Sequence, residues 1–96
     1  MEAKAPQEDP MATAVLIIRA RLVNMSDRPQ FDNWYRTEQL PSGVRQFKAQ
    51  RAWRCWSRTN PLVHLALYEF GSVEEAALAF TPQEAADLYA RAAHLL

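Results

Sequence analysis

Alternation of apolar and polar residues predicts three β-strands in this chain. In residues 13–23 one strand face is wholly apolar, whereas the other mixes apolar side chains with Arg19 and Arg21. Residues 44–57 alternate again, with many basic and amide side chains among aromatic and small ones. Residues 62–70 are apolar on both faces, which is typical of a strand that is covered on both sides. We therefore expect a sheet in which the third of these strands is covered on both faces.

A first helix is predicted between the first two strands. Asp27 and Gln30 have the spacing of a capping box, and Pro29 occupies the first turn, where a proline is well tolerated. Pro41 disfavours helical geometry in the residue before it. We therefore expect the helix to end at about Leu40 and a turn to follow it.

Two further helices are predicted after the third strand. Ser72 and Thr81 are each followed three residues later by a glutamate, which is the spacing of a capping box, and a proline follows Thr81 directly. These signals predict helices over about 73–80 and 82–95.

The predicted order of elements is β-α-β-β-α-α. This is most of the ferredoxin-like β-α-β-β-α-β pattern, without its fourth strand. We expect an α+β fold with an antiparallel sheet, formed by a single ferredoxin-like domain over residues 13–96. Residues 1–12 are polar and acidic and contain two prolines, so we expect a disordered N-terminal tail.

Two stretches carry a resemblance to a known family. They are "FDNWYRTEQLP" at 31–41 and "LVHLALYEFGSVEEA" at 62–76. Together they resemble the dimeric α/β-barrel superfamily, including the EthD-like small proteins, many of which look like "F-x-x-W-Y-x-x-E-H-L-P". The resemblance implies a small-molecule-binding or cofactor-independent enzyme-like protein, of the monooxygenase, isomerase or cyclase type, that dimerises. Gln39 stands where the motif has histidine, and this departure bears on whether the chain is catalytic.

The face of the first helix suggests a candidate acid. At about 100° per residue, Phe31, Trp34, Tyr35 and Glu38 share one helical face, so Glu38 is expected to point toward the sheet. It is then either an acid or base with a raised pKa beside a pocket, or the partner of a strand arginine such as Arg51.

Polar residues of the third strand and the helix end complete the candidate site. His64 and Tyr68 project from one strand face, where they either flank a small cavity or are ordinary buried polar residues. Gln39 cannot shuttle protons near neutral pH, so it either orients a ligand or caps the helix end. The candidate catalytic residues are Glu38 and His64, and the candidate ligand-binding residues are Trp34, Tyr35, Gln39, Arg51 and Tyr68. An isolated histidine is a poor metal site, so we expect neither a metal nor a cofactor.

Composition narrows the functional classes. The formal net charge is zero, so no overall field selects nucleic acid or an anionic membrane. The single cysteine, Cys55, cannot form an intrachain disulfide, which suits a reducing compartment. The longest apolar run, "AVLII", is too short to span a bilayer, and the N-terminal sequence lacks the apolar core of a secretory signal. We therefore expect a cytoplasmic protein without a membrane segment.

Charge is unevenly distributed along the chain. Residues 44–60 are basic and contain Trp53 and Trp56, whereas residues 61–96 are mostly acidic. A basic strand with interleaved aromatics could bind RNA, although the aromatic-glycine signature of an RNA-recognition motif is absent. The alternative is a solvated edge that pairs with acidic helices, and nucleic-acid binding is kept as the third functional class.

Three strands with one helix layer leave one sheet face uncovered, so we expect an obligate two-fold homodimer that packs sheet to sheet. A non-catalytic interaction or regulatory dimer is the second functional class. The residues expected on the uncovered face are Val15, Ile17, Val23, Ala66, Tyr68 and Phe70, around Arg19, Arg21 and His64.

Overall fold

Three strands form one antiparallel sheet in the computed structural model, which describes residues 14–95. Strand β1 spans Ala14–Arg21, β2 spans Arg51–Trp56 and β3 spans Val63–Phe70. β3 lies between β1 and β2 and is antiparallel to both. This arrangement confirms the predicted α+β class and antiparallel sheet, and it is compatible with a small ferredoxin-like fold. The predicted disordered tail lies outside the described residues.

One long helix connects β1 to β2. After a 3₁₀ turn at Met25–Asp27, it consists of α1 (Arg28–Trp34), a π-helical turn (Tyr35–Gln39) and α2 (Leu40–Phe47), which follow one another without a break. We refer to residues 28–47 as the long helix.

Two shorter helices follow β3, as predicted. They are α3 (Val73–Ala79) and α4 (Pro82–Ala93). The side chains of Ser72 and Thr81 accept hydrogen bonds from the backbone N–H groups three residues later, at 3.1 and 3.2 Å, so the caps predicted for these two helices are present. The cap predicted at Asp27 is not, because its side chain makes no capping hydrogen bond. No helix in residues 14–95 has the length and apolar character needed to cross a bilayer.

The long helix continues past Pro41, so the predicted end at Leu40 was wrong. The π-helical turn comes immediately before the proline, and the Leu40 N–H donates to the Tyr35 carbonyl, five residues back. Such a wide turn gives the proline ring room where it would otherwise clash with a carbonyl of the preceding turn. Residues 44–47, which were predicted to begin the second strand, therefore remain helical.

The helix ends at Lys48 in a left-handed conformation. Lys48 has φ 59° and ψ 40°, and its N–H donates to the Val44 carbonyl. The Ala49 N–H donates to the same carbonyl at 3.1 Å. This termination turns the chain into β2 without a glycine at the turning residue.

The helices cover one face of the sheet, which forms the core. Cross-strand pairs on this face include Leu16 with Tyr68 and Ile18 with Ala66. The prediction that Ala66, Tyr68, Phe70 and His64 lie on the uncovered face was therefore wrong. The buried hydrophobic cluster consists of Leu22, Phe31, Tyr35, Phe47, Ala66, Tyr68 and Phe70.

The other sheet face is open in the described part of the chain, and we call it the open face. Val15, Ile17, Arg19 and Arg21 of β1 are exposed there, as predicted. Ile17 is 55 % exposed and lies in one cross-strand row with Leu67 of β3 and Trp53 of β2. The residues of this face are Val15, Ile17, Arg19, Arg21, Val63, Leu65, Leu67, Glu69, Arg51, Trp53 and Cys55.

Candidate functional site

Every fourth residue of the long helix is buried against the sheet. These residues are Phe31, Tyr35, Gln39, Gly43 and Phe47. In a regular α-helix a step of four residues overshoots one full turn by about 40°, so such a stripe would drift around the helix. The π-helical turn takes more residues per turn and offsets part of this drift, which keeps the stripe on the sheet.

The same turn sets the positions of two polar residues. Gln39 is only 3 % exposed, whereas Glu38 is exposed to solvent. The expectation that Glu38 points toward the sheet was therefore wrong. Arg51 does not meet it either, because Arg51 lies on the open face and pairs with Glu69.

Four of the predicted site residues form a buried polar cluster between the long helix and β3. Tyr35, Gln39, His64 and Tyr68 are each 3 % exposed or less. The Tyr35 and His64 ring centroids are 4.5 Å apart. Trp34 lies at the side of this cluster, with its ring 5.5 Å from that of Tyr35. Sequence reasoning therefore found most of the polar interior, although it assigned the wrong acid to it.

The two tyrosine hydroxyls of the cluster are neutral hydrogen-bond donors. Burial raises the pKa of Tyr35 above its usual range, and the nearby Tyr68 adds to this effect. Burial also raises the pKa of Tyr68, against smaller lowering effects from Tyr35 and Gln39. The two hydroxyls influence each other, but neither has a hydrogen-bond partner of acceptable geometry among residues 14–95. Buried polar atoms without partners are costly, so both hydroxyls keep unused hydrogen-bonding capacity in this part of the chain.

His64 sits in a box of aromatic rings. The centroids of Phe31, Trp56 and Tyr35 lie 5.1, 5.0 and 4.5 Å from the imidazole centroid. Burial, with a smaller contribution from the Arg54 cation, lowers the pKa of His64 to about 4, so the ring is neutral at pH 7. His64 is completely buried, so it is withdrawn from solvent as well as uncharged.

The position of Arg54 determines which ring nitrogen of His64 carries the proton. The Arg54 Nη1 atom lies 3.5 Å from the His64 Nε2 atom. Because a guanidinium can only donate, Nε2 has to accept, and the ring proton is placed on Nδ1. Nδ1 has no hydrogen-bond partner within the described chain.

An ion pair that the sequence did not predict holds Arg54 in place. The Asp32 Oδ1 atom accepts hydrogen bonds from Arg54 Nη1 at 2.7 Å and from Trp56 Nε1 at 2.9 Å. These hydrogen bonds lower the pKa of Asp32. The arrangement joins α1 to the end of β2 beside the histidine. The Arg28 guanidinium also lies 4.2 Å above the Trp56 ring, at the rim of a shallow hollow.

The main cleft of the molecule lies between β1, the long helix and α4. It has a volume of about 560 Å³. Its lining combines residues 18–23, of which 18–21 belong to β1 and the last two follow it directly, with side chains from the helix layer. From the helix layer, the lining includes Phe31, Trp34, Tyr35, Leu88 and Ala92, together with Phe80 in the link between α3 and α4. Of the predicted site residues, only Trp34 and Tyr35 line it, and the contribution of α4 was not anticipated.

Arg91 connects α4 to the buried cluster. Its Nη2 and Nε atoms lie 3.2 and 3.4 Å from the Gln39 Oε1 atom. Gln39 therefore acts as an acceptor for a cation on the helix that forms one wall of the cleft. Helical spacing puts Arg91 on the same stripe as Leu88, which is a weak sequence signal that its side chain faces the core. Its partner Gln39 could not be found in this way, because the two residues are 52 positions apart in the chain.

Two further observations bear on the chemistry of the site. Residues 14–95 contain no group of three or more His, Cys, Asp or Glu side chains that could hold a metal ion. Comparisons of the chain with protein-family models, with curated proteins and with solved structures gave no match.

Proposed function

We propose that the protein binds an organic molecule with a largely apolar body in the cleft between β1, the long helix and α4. The observation that carries this proposal is the cleft itself. Its volume of about 560 Å³ lies within the usual range of ligand pockets, its lining is mostly apolar, and the hydroxyl of the lining residue Tyr35 has no partner within residues 14–95. Few convergent polar groups on an apolar wall are typical of sites that orient a ligand.

Binding is better supported than proton transfer. Glu38 faces solvent, Gln39 cannot exchange protons near neutral pH, and His64 is uncharged and enclosed. Tyr35 is held neutral by burial, so it can donate a hydrogen bond but is a poor base. The resemblance to the dimeric α/β-barrel superfamily agrees with a small-molecule site, while the glutamine in place of the motif's histidine favours a non-catalytic one.

A matched pair of tryptophan substitutions on α4 tests the proposal. Ala92 lines the cleft, whereas Ala90 on the same helix is exposed and does not line it. The fluorescent probe 8-anilinonaphthalene-1-sulfonate is titrated into the wild type and into both variants after circular dichroism has shown that each is folded. We expect Ala92→Trp to weaken the binding of the probe about tenfold or more and Ala90→Trp to leave it unchanged. Equal binding by the two variants would place the probe elsewhere and overturn the proposal.

The second candidate function is that of an interaction protein, and the open face favours it. Val15, Ile17 and Trp53 are 41, 55 and 39 % exposed on one surface. Contiguous exposed apolar surface of this kind marks an interface. We infer that a second copy covers this face in a two-fold dimer, in which the arginines at one end of β1 can meet Glu69 at the other end of the partner sheet.

A further inference from the structure

The backbone of β1 leaves one edge without a strand. The Leu22 N–H donates to the Leu62 carbonyl at 2.9 Å, and Ala20 and Ile18 are the next residues that face the same way. In an antiparallel ladder, hydrogen-bonded pairs alternate with non-bonded pairs. The even-numbered residues of β1 therefore bond to β3, and Arg19 and Arg21 direct their N–H and C=O groups to the opposite edge. No strand pairs with that edge within residues 14–95.

The hydrogen bonds on the other side of β3 agree with this assignment. The Ser57 N–H donates to the Val63 carbonyl at 2.8 Å, so the odd-numbered residues of β3 bond to β2. The even-numbered residues of β3 are then the ones that bond to β1, which matches the pattern inferred from Leu22.

This free edge is one wall of the cleft. Six consecutive residues, 18–23, line the cavity. Successive side chains of a strand point to opposite sheet faces, so consecutive residues can line a single cavity only along their backbone edge. The cleft is therefore a groove with unpaired backbone groups on one side and α4 on the other.

The two borders of the groove differ in chemistry. On its inner border, toward the helix layer, lie Leu22, Phe80 and Leu88. On its outer border, toward the open face, lie the side chains of Arg19 and Arg21, which are both exposed. A chain that entered the groove as a strand would present alternate side chains to these two borders.

We infer that the ligand of the cleft is an extended polypeptide segment in which apolar and acidic residues alternate. This inference rests on the proposed function and names the class of molecule that the cleft takes. The segment adds to β1 as an antiparallel strand, because a free strand edge offers backbone hydrogen bonds while alternate side-chain sites supply specificity. Acidic residues lie opposite Arg19 and Arg21, and the apolar residues between them point toward Leu88.

Charge argues against a second copy of β1 as the occupant. In the part of β1 that lines the groove, a two-fold strand pairing is centred on Ala20. It would set Arg19 of one copy opposite Arg21 of the other. Like charges directly opposite each other destabilise a strand pair, whereas opposite charges stabilise it. An acidic segment is therefore favoured over self-pairing.

N-methylated peptides test the strand geometry directly. The probe is the peptide amide Leu-Glu-Leu-Glu-Leu-amide, which carries a fluorescent label in place of an acetyl group on its N-terminus and is titrated by fluorescence anisotropy. Its glutamates oppose Arg19 and Arg21, so their N–H groups face β1, while the leucine N–H groups face away. N-methylation of both glutamates is expected to weaken binding about tenfold or more, and N-methylation of the last two leucines to change it less than about twofold. Equal losses with the two peptides, or no binding of the parent peptide, would overturn the inference.

A charge reversal in the protein tests the outer border. The double substitution Arg19→Glu, Arg21→Glu is expected to lose the glutamate peptide and to bind Leu-Lys-Leu-Lys-Leu-amide, labelled in the same way, instead. Arg58→Glu, in the exposed loop after β2, is the matched control and should keep the original preference. An unchanged preference in the double variant, with its fold verified by circular dichroism, would contradict the assignment of the acidic residues.

Binding in the cleft and binding of a peptide strand are tested separately. If Ala92→Trp blocks the fluorescent probe but no peptide binds, the cleft is a ligand site and the peptide inference is wrong. If neither the probe nor the peptide responds to Ala92→Trp, the proposed function is wrong as well.

Discussion

Gly43 lies directly against the ring of Tyr68. A β-carbon at position 43 would be 2.6 Å from the Tyr68 hydroxyl oxygen and 2.9 Å from its Cε2 atom, closer than real β-carbons come to other atoms. The glycine therefore sets the distance at which the long helix crosses β3. The Tyr68 ring also contacts Phe47, one turn further along the same helix, with ring centroids 5.1 Å apart.

This contact predicts a reversal of the usual glycine-to-alanine effect. In an unobstructed helix Gly→Ala stabilises by about 1 kcal/mol. Here we expect Gly43→Ala to lower the free energy of unfolding by about 1–3 kcal/mol, because the methyl group overpacks the site. Urea unfolding measures the change. Tyr68→Phe in the Gly43→Ala background should recover part of the loss, since it removes the nearest atom. A stabilised Gly43→Ala variant would show that the helix does not approach β3 in this way.

His64 predicts a pH dependence of stability. Its pKa falls from 6.5 when unfolded to about 4 when folded, mainly because burial penalises the cation. The unfolded chain then binds more protons between these values, so the free energy of unfolding decreases as the pH falls from about 6.5 to about 4. The full effect is of the order of 3 kcal/mol at this site.

The control for this prediction uses the second histidine. His64→Phe should remove the slope between pH 4 and 6.5, whereas His94→Asn, at the exposed end of α4, should keep it. Urea midpoints at a series of pH values provide the measurement. Parallel profiles for the wild type and a folded His64→Phe variant would show that His64 is not the group responsible.

The open face predicts self-association. Ile17→Asp places a charge in the exposed apolar row, so we expect it to shift the protein from a particle of two chains to one chain. Leu78→Asp is the matched control, because Leu78 is 79 % exposed on α3 and lies outside the sheet. Light scattering at low micromolar concentration measures the mass. A wild-type protein with the mass of one chain, 11.0 kDa, would contradict the dimer.

Lys48 predicts a stabilising substitution. In this left-handed conformation a residue with a β-carbon is destabilised by about 1 kcal/mol or more. Glycine avoids that destabilisation. We expect Lys48→Gly to raise the free energy of unfolding by about 0.5–1 kcal/mol, despite the greater freedom that glycine gives the unfolded chain. Lys48→Ala removes the charge but keeps a β-carbon, so it separates the backbone effect from the loss of charge and should not stabilise the protein. Thermal unfolding of the wild type and the two variants measures these changes. Equal stabilities would mean that the turn holds no strain.

Features set by neighbouring residues could be predicted from the sequence. The caps at Ser72 and Thr81 depend on atoms three residues apart, and the alternation in β1 depends on residues two apart. Both were found where they were expected. The order of the elements followed from such local signals as well.

Features that depend on packing could not be predicted in this way. β3 is apolar on both sides, so only its register with β1 decides that His64 and Tyr68 face the helices. The π-helical turn has no sequence motif of its own, so a constant helical rotation placed Glu38 toward the sheet and Gln39 only at the flank of the apolar stripe. The wall that α4 gives to the cleft arises from contacts between residues far apart in the chain.

The π-helical turn also has a consequence for how this protein can change over time. Loops usually tolerate insertions and deletions. In the long helix, by contrast, the buried residues before and after the π-helical turn must both face the sheet. Losing a single residue between Tyr35 and Gln39 would rotate everything after it, so that Gly43 would no longer meet Tyr68. Descendants of this chain should therefore vary at the exposed positions of that turn, 36–38, but keep its length.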